Sequence, residues 1–171
     1  QGGSGTLVGG TQSDRFAAVI SISGWADYFS HYFGARGLMR YFHLDQNGGD
    51  NRWRYECARE GPSHDCPFGF GVTALADPER YARTSPVAKA DSITAPVLLV
   101  HSDFDYFGMA QYDEMFGALY RAGKDARYVR YWGEGHGPSS PANIRDLWMR
   151  IDAFLAESGV AVSQAEPDRS H

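Results

Sequence analysis

The 171-residue sequence has few cysteines, no excess of positive charge and no long apolar run. Its 16 Lys and Arg residues stand against 21 Asp and Glu, the formal net charge is -5, and the basic residues are scattered. A nucleic-acid backbone binds clustered positive charge, so we expect no nucleic-acid partner. No stretch approaches the roughly 20 apolar residues of a membrane-spanning helix, so we expect no membrane span in this chain.

The two cysteines, Cys57 and Cys66, lie in a polar, turn-rich stretch. A short-range disulfide is sterically feasible there and would indicate an oxidising compartment, while two free thiols fit the sequence equally well. A zinc site that also used His64 would lack a fourth ligand, so we predict no metal. The compartment stays open, because the first residue is Gln1 rather than Met and upstream targeting information would not be visible.

The sequence does have enough apolar residues for a folded domain, with 43% hydrophobic and 14% aromatic residues. Three short segments rich in β-branched residues predict buried strands at 17–23, 95–102 and 126–132. Apolar residues at helical spacing predict one helix over 109–123 and a second over 140–159, which opens on a Ser-Pro pair. Strands that alternate with amphipathic helices predict a parallel α/β sheet covered by helices.

Residues 34–90 interrupt this alternation. The stretch is long and rich in Gly, Arg and aromatic residues, and it predicts an excursion over the strand ends of the kind that often covers a site. From Ser158 onward the apolar periodicity ends, so we expect a domain over 1–157 and a disordered tail over 158–171. Three strands are few for this architecture, and the pattern is typical of the C-terminal portion of a larger domain.

Two loops follow the carboxyl ends of the last two strands, where open α/β sheets place their sites. They read HSDFDYFG and GEGHGPSS. Neighbouring strands would bring Asp105 and the glycine-flanked His136 together, and a carboxylate oriented on an imidazole makes a general base. Two other interpretations stay open. Asp105 and His136 could each cap the helix that follows, or His101, Asp103, Asp105 and His136 could bind a metal.

These two loops and the helix between them resemble the C-terminal end of the prolyl oligopeptidase family of serine peptidases, which have an α/β-hydrolase fold. In that family the triad aspartate lies in an HGxxD loop and the histidine in a GEGHG loop, in chain order Ser, Asp, His. The resemblance implies that Asp105 orients the imidazole, that His136 is the general base, and that no cofactor is needed. Ser102 replaces a motif glycine here, and Phe107 with Gly108 replaces the family's usual continuation.

The resemblance also interprets the opening, QGGSGTLVGGTQSDRF. The family's nucleophile lies in a G-x-S-x-G-G turn before a helix and an xDRF step, which this chain reproduces as SDRFAAVISISG. Counting back by the family spacing places the nucleophilic serine immediately before Gln1, whose N–H would serve the oxyanion hole. Ser4 is the weaker alternative, since the last glycine of the motif is missing. The chain alone is therefore expected to be inactive.

A third pattern lies in GWADYFSHYF, which contains Trp25, Tyr28 and Tyr32. These residues resemble the aromatic set that lines the pocket for the residue before the scissile bond in the dipeptidyl-peptidase branch of the family. Aromatic walls suit the flat ring of proline. The same spacing fits ordinary core residues of a helix equally well, so both interpretations stay open.

Together these patterns predict a fragment of a serine peptidase that hydrolyses peptides through an acyl-enzyme. The upstream half of the catalytic domain, and as a further expectation an N-terminal propeller, would complete it. Two rival functions remain. One is an esterase of the same fold, which shares the triad; the other is a non-catalytic domain that only binds partners.

Overall fold

The computed structural model describes residues 2–34 and 73–160, and the account below is of these residues. In chain order the elements are helix α1 (Gly2–Gln12), strand β1 (Val19–Ile22), helix α2 (Tyr28–Gly34), helix α3 (Pro78–Thr84), a 3-10 helix (Pro86–Ser92), strand β2 (Val97–Ser102), helix α4 (Ala110–Arg121), strand β3 (Ala126–Tyr131) and helix α5 (Pro141–Glu157).

The three strands form one parallel sheet in the order β1, β2, β3. Val97 of the middle strand pairs with Val19 on one side and with Ala126 on the other. All six residues of β2 are buried, because helices cover both faces of a parallel sheet. The predicted three parallel strands with flanking helices are confirmed, and each strand begins and ends within two residues of its predicted bounds.

Each face of the sheet has its own apolar core. On one face Val97 and Leu99 pack with α1 and α4, in a cluster that includes Leu7, Met115 and Leu119. On the other face Leu98 and Val100 pack against α5, in a cluster that includes Tyr131, Ile151 and Phe154. The side chains of a strand alternate between the faces, so a four-residue apolar run in β2 supplies both cores.

The apolar faces predicted for the two long helices are wider than the faces that are buried. Tyr120 of α4 is 75% exposed and Trp148 of α5 is 60% exposed, although both have helical spacing with buried residues. A helix that lies on a sheet buries only the stripe that points at the strands. Residues at the margin of that stripe stay exposed in the described part of the chain.

The first turn of helix α1 packs closely against the carboxyl end of β1, and a glycine makes this close packing feasible. A Cβ atom on Gly3 would collide with the Ile22 carbonyl oxygen and would lie 2.8 Å from the Tyr112 hydroxyl oxygen. The Ser21 hydroxyl donates a hydrogen bond to the Gly3 carbonyl over 2.7 Å. The start of α1 therefore lies at the sheet edge formed by the carboxyl ends of the strands.

Some predictions fall outside the described residues. Gln1, the cysteine pair with His64, and residues 161–171 of the predicted tail are among them. Of the predicted excursion, the structure describes the flanks, where α2 packs against α3 and the 3-10 helix packs against α4. No helix in the described ranges has the length and apolar character needed to cross a bilayer.

Candidate active site

Backbone hydrogen bonds join the loops that follow β2 and β3. The Asp103 N–H donates to the Tyr131 carbonyl over 3.1 Å, and the Phe104 N–H donates to the Glu134 carbonyl over 3.1 Å. In return the Gly133 N–H donates to the Asp103 carboxylate over 2.7 Å. These bonds continue the pairing of β2 and β3 beyond the strand ends, so side chains on the two loops are held at a fixed separation.

Those loops bring Asp105 and His136 into direct contact, as their positions in the sequence predict. His136 Nδ1 lies 3.0 Å from both carboxylate oxygens of Asp105. The Asp105 side chain is fully buried and that of His136 is 38% exposed. An ionised carboxylate only accepts, so Nδ1 carries the proton and donates it. In the neutral imidazole Nε2 then has a free lone pair, which is the form a general base requires.

The structure gives less support to the two other interpretations of these residues, which are helix capping and metal binding. Helices α4 and α5 both begin without a capping hydrogen bond from a side chain, so neither Asp105 nor His136 caps them. Asp105 Oδ1 instead accepts from the Phe107 N–H over 2.9 Å. Within residues 2–34 and 73–160, no group of three or more His, Cys, Asp or Glu side chains is arranged to hold a metal ion.

Two aromatic residues of the β2 loop enclose the His136 ring. Tyr106 stacks on the imidazole with 4.4 Å between ring centroids and 23° between planes, and Phe107 meets it edge-on at 5.4 Å. Partial burial raises the pKa of the Tyr106 hydroxyl, and the adjacent Asp105 carboxylate raises it further. The two rings limit how far the imidazole can turn away from Asp105.

The three aromatic residues predicted to line a pocket differ in what they contact. Trp25 is half-buried and packs on Phe107 at 4.7 Å, so one ring separates it from the imidazole. Tyr28 meets Trp25 edge-on at 6.1 Å. Tyr32 packs instead against Tyr81 of α3, at 5.6 Å. The described contacts thus connect Trp25 and Tyr28 to the site and Tyr32 to a neighbouring helix.

Ser4 is turned into the packing between α1 and β1. It is 2% exposed, and its hydroxyl oxygen accepts a hydrogen bond from the Trp25 N–H over 2.8 Å. None of the serines in the described part of the chain is hydrogen-bonded to His136. Gln1, predicted to serve the oxyanion hole, lies outside that part.

Glu134 is a site residue that the sequence analysis missed. It is 3% exposed, and its carboxylate accepts hydrogen bonds from the backbone N–H and the hydroxyl of both Ser139 and Ser140, and from the Asn143 amide. These donors, the Ser140 hydroxyl foremost, lower the pKa of Glu134 to about 2. Glu134 therefore ties the His136 loop to the start of α5. A glutamate followed five and six residues later by serines is the sequence feature that could have indicated it.

We predict that Glu134→Gln lowers the thermal unfolding midpoint by several degrees at pH 7, because an amide cannot accept from all five donors. Because the pKa of Glu134 is lowered in the folded state, its ionised carboxylate stabilises the fold at pH values above 4.5, the ordinary pKa of a glutamate. This stabilisation is lost as the pH falls toward 2. The difference between variant and parent should therefore narrow across that range. Unfolding followed by circular dichroism at each pH measures this difference.

The matched control is Glu157→Gln, which removes an equal charge from an exposed ion pair with Arg127. Exposed pairs contribute little to stability, so this midpoint should stay close to that of the parent. Equal losses in the two variants would show that Glu134 acts through its charge alone and does not anchor the loop.

Comparison with known proteins identifies the family. The sequence profile of the prolyl oligopeptidase family matches residues 67–159, which is more than half of the chain. The chain belongs to the prolyl oligopeptidase family. No curated protein matches it significantly.

Several solved structures superpose on nearly the whole chain. A puromycin-hydrolyzing peptidase from Mycobacterium tuberculosis does so with a TM-score of 0.71 at 22% identity, over 96% of this chain and 22% of its own. The acylaminoacyl peptidase of Pyrococcus horikoshii superposes with a TM-score of 0.68 at 21% identity, over 97% of this chain and 24% of its own. Dipeptidyl peptidase 4 of Porphyromonas gingivalis superposes with a TM-score of 0.62 at 18% identity, over 91% of this chain and 18% of its own. The chain thus has part of an α/β-hydrolase fold and spans less than a quarter of the length of these relatives.

Proposed function

We propose that the protein is a serine peptidase that hydrolyses peptide bonds by acyl transfer, with Asp105 and His136 as two members of its triad. The observation that carries this proposal is the Asp105–His136 contact, with Nδ1 3.0 Å from both carboxylate oxygens. The pair lies beyond the carboxyl ends of adjacent parallel strands. Membership in a family of serine peptidases supports the reaction class for which such a pair is suited.

In the proposed mechanism the His136 Nε2 lone pair takes the proton of the serine hydroxyl as its oxygen attacks the substrate carbonyl carbon. Asp105 accepts from Nδ1–H, which fixes the tautomer and stabilises the imidazolium that forms. The imidazolium then gives its Nε2 proton to the leaving amine, and the peptide C–N bond breaks. Water attacks the resulting acyl-enzyme with His136 as base again, which restores the serine.

We place the nucleophilic serine outside the 171 residues, immediately before Gln1. Two observations support this position. Ser4 is buried and bound to the Trp25 N–H, so it is not presented to His136. Helix α1 begins at Gly2, at the carboxyl edge of the sheet where the Asp105–His136 pair also lies. The Gln1 N–H would then join the positive end of the helix in stabilising the oxyanion.

For the substrate we propose a peptide with a flat apolar ring before the scissile bond. Trp25, Tyr28 and Tyr32 are each half-buried and keep part of their surface available. Trp25 and Phe107 pack at 4.7 Å, and Phe107 in turn packs against the His136 ring. An aromatic wall that starts beside the base would place such a ring next to the reacting carbonyl.

The complete enzyme should hydrolyse a prolyl or aromatic aminoacyl nitroanilide as well as the nitrophenyl ester of the same acyl group. Trp25→Ala should raise KM for the amide by about tenfold, because the ring of the substrate loses the indole surface against which it packs. Trp148→Ala removes an exposed tryptophan from α5 and is the matched control, with KM unchanged. Ester turnover without amide turnover would favour an esterase. Turnover of neither would favour a non-catalytic binding domain.

A further inference from the structure

His101 is a buried titratable residue that the proposed mechanism does not use. It is the fifth of the six residues of β2, and its side chain is fully buried. Its Nε2 atom has no hydrogen-bond partner within the described residues. Buried polar atoms are nearly always paired, so an unpaired one calls for an explanation, and a catalytic role is one such explanation. His101 lies directly before the loop that carries Asp105.

The surroundings of the His101 ring favour one tautomer. Nδ1 lies 2.9 Å from the Ser102 backbone nitrogen and 3.0 Å from the Ser102 carbonyl oxygen. If Nδ1 accepts from the Ser102 N–H, the proton of the neutral ring is on Nε2. Nε2 is 4.0 Å from Asp105 Oδ2. The opposite tautomer would place an Nε2 lone pair 4.0 Å from the carboxylate, which electrostatic repulsion disfavours, so the tautomer with Nε2–H is favoured.

The neighbouring groups leave Asp105 as the acceptor for this N–H. Tyr112 also contacts the imidazole, and its ring meets it edge-on with 4.9 Å between centroids. Its hydroxyl already accepts from the Gly24 N–H and bonds to Ser21. Asp105 Oδ1 accepts from the Phe107 N–H, whereas Oδ2 has no backbone donor among the described residues.

We propose that His101 is a positioning residue for Asp105, whose Nε2–H approaches carboxylate oxygen Oδ2 and holds the carboxylate in the orientation that receives His136. A separation of 4.0 Å exceeds a hydrogen bond. Hydrogen bonds at catalytic groups are often long in the free enzyme and tighten in the substrate complex. His101 touches neither substrate nor reacting atoms, so it acts through Asp105. Its catalytic consequence rests on the proposed function.

The tautomer and the contact can be tested without an activity assay. In protein labelled with 15N only in histidine, and assigned with His101→Gln, the His101 resonances should show a bare Nδ1 and a protonated Nε2. Asp105→Asn should shift the Nε2 resonance. Asp103→Asn, an equal charge change on the same loop, should leave it in place. A protonated Nδ1, or an Nε2 unmoved by Asp105→Asn, would overturn the proposal.

Two variants test the catalytic consequence in the complete enzyme. A glutamine amide nitrogen reaches the position of Nε2, whereas an asparagine amide nitrogen reaches only that of Nδ1. His101→Gln should keep kcat within about threefold of the parent. His101→Asn should lower kcat by about tenfold with KM unchanged.

The unfolding midpoints of both variants are measured as well, so that a loss of kcat from mispositioning can be distinguished from one caused by lower stability. Equal kcat losses in the two, or losses that follow the midpoints, would reduce His101 to a structural role. If neither variant folds, the His101 ring is assigned in the parent protein by correlation to its backbone resonances, and the resonance test then decides the question. An Asp105-sensitive Nε2–H in a protein without peptidase activity would support the contact and count against the proposed function alone.

Discussion

A fluorophosphonate probe, which phosphonylates activated serines, is expected to label a protein extended upstream through the residue before Gln1 and to leave the 171-residue chain unlabelled. Asp105 and His136 can prepare a proton acceptor, but without a nucleophile they can activate only water, and the covalent pathway is faster by orders of magnitude. Labelling is read on a denaturing gel and nitroanilide hydrolysis in solution. Both should appear together in the extended protein.

Replacing the serine before Gln1 by alanine in the extended protein should abolish the labelling. Ser4→Ala is the matched control and should keep it, because the Ser4 hydroxyl is bound to the Trp25 N–H. Removing that acceptor should cost about 1 kcal/mol of stability and leave the chemistry intact. Labelling of the short chain that disappears with Ser4→Ala would make Ser4 the nucleophile and overturn the assignment.

The architecture could be predicted from sequence because its determinants are local. Strand β2 reads as a continuous apolar run, which is what a strand covered on both faces requires, and it is buried along its whole length. Helix α4 carries Tyr112, Met115 and Leu119 at helical spacing, and all three are buried. Parallel pairing then brings the ends of β2 and β3 together, so strand order predicts that the loops carrying Asp105 and His136 lie side by side.

The residues that surround this pair could not be predicted in the same way, because their partners are set by how the loops turn. In an extended chain His101 and Asp105 would lie on the same face but about 13 Å apart, so strand geometry alone does not bring them together. The chain turns directly after β2, where the Asp105 N–H donates to the Ser102 carbonyl. That turn brings Asp105 Oδ2 to 4.0 Å from His101 Nε2.

Burial likewise depends on contacts that the sequence does not specify. Glu134 carries a charge and would be expected at the surface, yet its carboxylate is buried because the following loop folds back and supplies donors. Trp148 is apolar and fits the predicted helical face, yet it is exposed because no described element lies against it. Patterning predicts which elements form, and packing decides which of their side chains are covered.

If the proposed mechanism holds, Asp105→Asn in the complete protein is expected to lower kcat/KM by about ten-thousand-fold with little change in substrate binding. The asparagine amide would direct an N–H toward His136 Nδ1, which in the parent protein donates its own proton to Asp105 over 3.0 Å. The imidazole would then adopt the opposite tautomer, with its proton on Nε2. A protonated Nε2 cannot take the serine proton, so the loss should appear in kcat. Steady-state hydrolysis of an aminoacyl nitroanilide measures it.

Asp103→Asn is the matched control, because it makes the same chemical change two residues earlier on the same loop. The Asp103 carboxylate accepts from the Gly133 N–H over 2.7 Å, and an asparagine carbonyl can accept that bond as well. Its kcat/KM should therefore fall by less than about tenfold. Similar losses in the two variants would mean that loop structure, rather than the tautomer of His136, accounts for the effect. Activity of Asp105→Asn near that of the parent would rule Asp105 out of the proposed triad.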